Sequence, residues 1–158
     1  MHYWFFGLPG SGKTHLANLF SEMIGFPQYE GDDFHTEDDR KVIAEGLFTL
    51  SHRHAQLKRV SAALRSAKVL DAIITHPLPD RNSRAGLYKK SCKLVYVKTD
   101  LVLIKQRLAN RKGHHFGADQ LDEWIPRHWE EPIGEENLVI HNNESENLNS
   151  SLKVLCDF

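Results

Sequence analysis

Short apolar runs and longer amphipathic stretches alternate along the chain, and this alternation sets the expected order of elements. Residues 3–6 form an apolar run that predicts a first strand, closed by the glycine-rich segment from Gly7 to Gly12. Leu16, Leu19, Phe20 and Met23 then recur at helical spacing over residues 14–24. A short strand is predicted over residues 28–31, followed by helices over residues 36–45 and 51–66. The second of these carries Leu57, Val60, Ala63 and Leu64 on one face. Residues 69–75 read as a buried strand that ends at His76-Pro77-Leu78-Pro79, because proline cannot donate to a sheet ladder. Residues 93–99 predict the next strand, and Asp100 suits the N-cap of a helix over residues 101–111. A last strand is expected over residues 137–140 and a last helix over residues 145–155. Apolar strand centres separated by helices predict an α/β fold whose parallel sheet is covered on both faces.

Composition narrows the classes. The 158 residues, 41% hydrophobic and 26% charged, suit a single packed domain over residues 1–158 and exclude a low-complexity chain. Twenty basic against twenty-one acidic side chains give a net charge of −1, which argues against a nucleic-acid partner. Cys92 and Cys156 have no metal or redox spacing, so a reducing, cytoplasmic setting is expected. The apolar start at residues 2–6 is too short for a signal segment. No apolar run approaches the roughly 20 residues of a membrane span, so no membrane partner is expected. His52-Arg53-His54 and His114-His115 lack zinc-site spacing, and Trp4, Trp124 and Trp129 read as packing residues.

The strongest chemical signal is Gly7-Leu8-Pro9-Gly10-Ser11-Gly12-Lys13-Thr14, which fits the Walker A pattern without a mismatch. It follows a predicted strand and opens a predicted helix, as a phosphate cradle requires. Glycines let the backbone wrap closely and aim N–H groups at phosphate oxygens, and the helix adds its positive end. Gly7, Pro9, Gly10, Ser11, Gly12, Lys13, Thr14 and His15 are therefore the expected nucleotide-binding set. Lys13 would neutralise the β- and γ-phosphates, and the Thr14 hydroxyl would complete a Mg²⁺ shell. ATP and Mg²⁺ are the implied cofactors.

A small phosphotransferase also needs an acceptor pocket and a basic lid. Glu30-Gly31-Asp32-Asp33-Phe34-His35 follows the second strand, near the sheet end where open α/β folds bind ligands. Asp32 could take or orient the proton of an acceptor hydroxyl, or hold Mg²⁺ through water. Asp33 has a competing role as cap of the helix that begins near Thr36. The lid is expected over about residues 107–130, where Arg107 and Arg111 stand one helical turn apart and Gly113 breaks the helix. Closing arginines would stabilise the charge of a transferring phosphoryl group. The competing role for these arginines is a solvated cationic helix end. Arg53 or Arg84 could pair with an acceptor carboxylate.

Taken together these segments resemble the gluconate kinase family, small P-loop sugar-acid kinases related in shape to shikimate kinases. The match runs over about residues 3–132 and rests on the Walker loop, on residues 29–35 with Lys41 and Gly46, and on residues 93–98 leading into Arg107 and Arg111-Lys112-Gly113-His114. The resemblance implies a three-layer fold with a five-stranded parallel sheet and a helical lid, ATP with Mg²⁺, and often a homodimer. It also supports Asp32 and His35 in the acceptor pocket and Arg107 and Arg111 over the phosphates. The nucleotide-facing segments keep the family pattern. The acceptor-facing ones depart from it: Thr75-His76-Pro77-Leu78 stands where the family shows Ser-Ala-Leu-Lys, and only Arg53 and Leu57 survive of the preceding motif. The expected activity is ATP-dependent phosphorylation of a small metabolite, gluconate or a similar sugar acid. A shikimate-like, nucleoside or polyol acceptor is the alternative, as is a nucleotide-binding regulatory module that has lost transfer.

Overall fold

The computed structural model describes residues 1–88, 92–110, 117–135, 137–143 and 147–156. Among the described residues, five parallel strands form one sheet in the order β2-β3-β1-β4-β5. They are β1 (His2–Phe6), β2 (Gln28–Glu30), β3 (Ala72–Thr75), β4 (Cys92–Lys98) and β5 (Leu138–His141). The helices are α1 (Lys13–Ile24), α2 (Glu37–Ala44), α3 (Leu50–Ser66), α4 (Arg81–Tyr88), α5 (Leu101–Asn110), α6 (Ala118–His128) and α7 (Leu148–Cys156).

The two-residue period of the strands separates the core into two layers. Tyr3 and Phe5 of β1, Ile73 of β3 and Val95 and Val97 of β4 face one side, against Leu16, Ala17 and Phe20 of α1 and Leu152 and Leu155 of α7. Trp4 and Phe6, Ala72 and Ile74, and Leu94 and Tyr96 face the other side, against Val60 and Leu64 of α3 and Leu87 of α4. A strand buried on both faces cannot alternate in polarity, which is why these runs read as continuously apolar. A third cluster joins Leu8 of the glycine-rich loop to Ile104 and Leu108 of α5 and Leu121 of α6, placing the α5–α6 pair beside that loop.

Two expectations change. The strand predicted over residues 69–75 begins at Ala72, because Val69 N–H bonds to the Leu64 carbonyl and Lys68 takes a φ of 52° to close α3. Helix α4, absent from the periodicity, starts where Asp80 accepts from the Ser83 N–H at 2.9 Å. Helix α6 lies inside the expected helical lid, but periodicity does not delimit it: Leu121, Trp124 and Ile125 have helical spacing, and Pro126 interrupts the pattern inside the helix. The end of the predicted lid helix, at Arg111, and the start of the predicted last helix, at Ser145, lie outside the described residues.

Candidate active site

A cleft of about 1280 Å³ opens at the carboxyl ends of the strands. Pro9, Gly10, Gly12, Lys13, Thr14 and His15 line one side of it, with Arg107. Gly7 and the buried Ser11 complete the loop's backbone. Gly12 caps α1 with a φ of 90°, and a Cβ there would stand 2.2 Å from Asn142 Nδ2, so only glycine fits. The Ser11 carbonyl pins the loop. It accepts from Thr99 Oγ1 at 2.9 Å, from Asn142 Nδ2 at 2.8 Å and from Arg107 Nη1 at 3.5 Å. Arg107 also donates to the Asn142 carbonyl at 3.1 Å, so the guanidinium lies across the loop. Lys13 Nζ donates to the carbonyls of Gly7 and Leu8, at 3.1 and 2.8 Å.

This side of the cleft suits a polyphosphate. Helix α1 has no side-chain cap and no acidic residue in its first turn, so its positive end is offset by nothing of its own. Lys13 adds a full charge, and the Ser11 hydroxyl is buried without a hydrogen-bond partner among the described residues. Thr14, Glu30 and Asp32 line the same cleft and supply oxygen donors of the kind Mg²⁺ prefers. Among the described residues no group of three or more His, Cys, Asp and Glu side chains could hold a metal. An ion here would come with nucleotide phosphates.

The facing wall is built by β2, the turn after it, and α3. Gly31 opens a 3-10 turn, Gly31–Phe34, and a Cβ on it would sit 2.6 Å from the Thr75 carbonyl. The missing side chain lets β2 and β3 close up and carries Asp32 to the cleft. Arg53 reaches Asp32 Oδ1 at 3.4 Å and Gln56 Oε1 at 2.8 Å, while Gln56 donates to the Gly31 carbonyl at 2.6 Å. The guanidinium stacks 4.7 Å from the Phe48 ring centroid. Burial lowers the pKa of Arg53 and Asp32 pulls it back up. A cation so desolvated gains from an anionic partner. His35 packs edge-on against Phe48, and burial lowers its pKa although Asp32 opposes the shift.

The structure thus brings Lys13, Thr14, His15, Asp32, His35, Arg53 and Arg107 to one cleft. It does not bring Arg84 there. Arg84 is completely buried on α4, donating to both carboxylate oxygens of Glu135 at 2.7 and 2.9 Å and to the carbonyls of Leu78 and Glu130. Its charge is neutralised inside the fold, which corrects the expectation of an acceptor contact. Asp33 does not cap α2; Thr36 does, in a capping box with Asp39. His54 bonds to Asp80 at 2.8 Å. Arg111 and the rest of the predicted basic segment over residues 112–116 lie outside the described residues.

Phe48, Asn142 and Trp124 line the cleft without an expectation from sequence, while Glu30 and His76 do so from segments already read as acceptor-facing. Trp124 packs against the α5–α6 cluster and also lines the cleft. Asn142 had no local signal, since its role depends on a loop 131 positions away. Phe48 had a weak one, as an aromatic five residues before an arginine.

The fold and the site define a P-loop kinase architecture. The gluconokinase from Sinorhizobium meliloti shares it with a TM-score of 0.80 at 21% identity, covering 99% of this chain and 93% of that one. Shikimate kinase from Bacteroides thetaiotaomicron gives a TM-score of 0.68 at 15% identity, covering 99% and 97%. In sequence the chain is similar to the "Probable gluconokinase" of Schizosaccharomyces pombe, 25% identical over 130 residues that span 75% of this chain and 67% of that protein. No family model matches the chain. The resemblance read from the motifs is therefore to gluconokinases, on a P-loop kinase fold. No described helix is long and apolar enough to cross a membrane.

Proposed function

We propose that this protein is an ATP-dependent kinase that phosphorylates a hydroxyl of a small, anionic, oxygen-rich metabolite, gluconate or a similar sugar acid. The domain spans residues 1–158, with a lid over about residues 107–130. One observation carries the reading: a single cleft joins the Lys13 loop to a wall holding both an open carboxylate, Asp32, and a half-buried cation, Arg53.

Lys13 leaves the Gly7 and Leu8 carbonyls to meet the β- and γ-phosphates, and loop N–H groups and the α1 end hold the remaining charge. Thr14, with Asp32 through water, would hold Mg²⁺, which supplies charge neutralisation on the phosphate oxygens. Arg53 pairs with the acceptor carboxylate and so orients the hydroxyl towards Asp32. Asp32 takes the hydroxyl proton as that oxygen bonds to the γ-phosphorus and the bond to the β-phosphate oxygen breaks, leaving ADP. Arg107, and Arg111 four residues on, stabilise the transferring group.

A coupled assay for ADP across sugar acids, shikimate, polyols and nucleosides tests the reading. Turnover is expected with a sugar acid. No ADP above the acceptor-free background with any of them would sink it, and tight binding of an ATP analogue in the same sample would favour the regulatory module.

A further inference from the structure

His76 is the residue after β3, at the inner end of the cleft and on its lining. Its backbone N–H donates to the Phe5 carbonyl at 3.1 Å, which continues the β1–β3 pairing one step past the strand. The imidazole is clamped. Its Cδ2 would be 2.9 Å from a Cβ on Gly31, and its ring meets that of Trp4 edge-on at 6.4 Å.

The tautomer is set locally. Nδ1 accepts from the Leu78 N–H at 3.1 Å, so the ring proton sits on Nε2. That N–H is buried and has no partner among the described residues. The groups whose charge it feels are Arg53, Lys13, His35 and His54. Arg53 and Lys13 are donors only, so neither can accept from it. Burial, reinforced by Arg53 and Lys13, holds the pKa well below the ordinary value of 6.5, and the ring stays neutral. A buried donor on a residue that lines the cleft, with no acceptor among the described residues, is incomplete.

We infer that His76 reads the acceptor: its Nε2–H is a fixed hydrogen-bond donor to an acceptor oxygen, and it selects hydroxy acids or polyols carrying an oxygen there over their deoxy analogues. The inference rests on the kinase reading above and adds the residue that sets specificity at that site. A donor in a dry wall discriminates more strongly than apolar contact does, because the wrong ligand leaves it unpaired. His76 thus reads shape and polarity as a neutral donor and takes no part in proton transfer.

The test is steady-state kinetics of the full chain bearing His76→Leu or His76→Gln, with the best acceptor and with its deoxy analogues. His76→Leu is expected to raise the acceptor KM tenfold or more and leave the ATP KM within twofold. His76→Gln, which keeps an N–H near the Nε2 position, is expected to recover most of the loss. In wild-type protein labelled with ¹⁵N-histidine, the Nε2–H resonance is expected to shift when acceptor is added with a non-hydrolysable ATP analogue, and this holds even if a variant fails to fold. Turnover with an unchanged acceptor KM in His76→Leu, or an unmoved Nε2–H signal, overturns the inference and leaves the kinase reading standing. No turnover with any acceptor overturns both.

Discussion

The side-chain amide of Asn142 donates 2.8 Å to the carbonyl of Ser11, across 131 positions of sequence, and ties the end of β5 to the phosphate loop. Asn142 also accepts from Arg107 through its own carbonyl, so one residue holds both the loop and the cation across it. Asn142→Ala should cost about 1–2 kcal/mol of stability, since a buried hydrogen bond is lost while Thr99 still serves Ser11. Affinity for an ATP analogue should weaken several-fold. Thermal melts with and without the analogue check this; two unchanged melting temperatures would refute it.

Gly12→Ala should be more severe and more local. The new methyl would meet Asn142 Nδ2 at 2.2 Å, at a backbone φ of 90° that side chains rarely adopt. Nucleotide binding by calorimetry should fall at least tenfold while the circular dichroism spectrum stays that of a folded α/β chain.

The buried Arg84–Glu135 pair makes a prediction about stability alone. Glu135→Gln leaves a fully buried guanidinium without its counter-charge and should cost roughly 3–5 kcal/mol. Urea unfolding measures the loss. The acceptor KM of the protein that remains folded should stay within twofold of wild type. A large rise in KM with normal stability would restore Arg84 to the acceptor site.

Acid should destabilise the protein through the cleft histidines. Burial holds His35 and His76 below the ordinary value of 6.5. Below that pH the unfolded chain binds protons that the folded one refuses, so stability declines as pH falls from about 6.5 towards the folded values, and nothing is lost above it. Urea midpoints at successive pH values from neutral to mildly acid should drop, and His76→Gln should flatten part of that slope. An identical slope in the variant would show that His76 is not a contributor.

Much of the fold was legible because a parallel sheet buried on both faces forces apolar strand centres, and residues 3–6 and 93–98 show this without ambiguity. The helices that periodicity does not delimit are those whose local signals conflict: α4 is short and polar, with Gly86 in its last turn, and α6 carries Pro126. The loop side of the candidate site was legible where its residues are contiguous, from Gly7 to His15, whereas Thr99 and Asn142 reach it from far along the chain. The facing wall was not legible in that way. Arg53 and Arg84 look alike in sequence; one lies over Phe48 in the cleft and the other is folded onto Glu135, 51 positions on. His76 looked like the start of a strand-ending loop, and its chemistry emerges only from the Leu78 N–H that fixes its proton.

The close approach at Gly31 bears on how this protein could be re-engineered. With Gly31 pressed on the Thr75 carbonyl, and Arg84 clasping the Leu78 and Glu130 carbonyls, the backbone around the facing wall has little room to be reshaped by insertion or deletion. Under the proposed kinase reading, new acceptor preferences would have to be written in side chains, at His35, Phe48, Arg53 and His76. The scaffold behaves as a fixed mould with interchangeable inserts, and a library confined to those four positions should reach altered acceptors sooner than one that varies loop length.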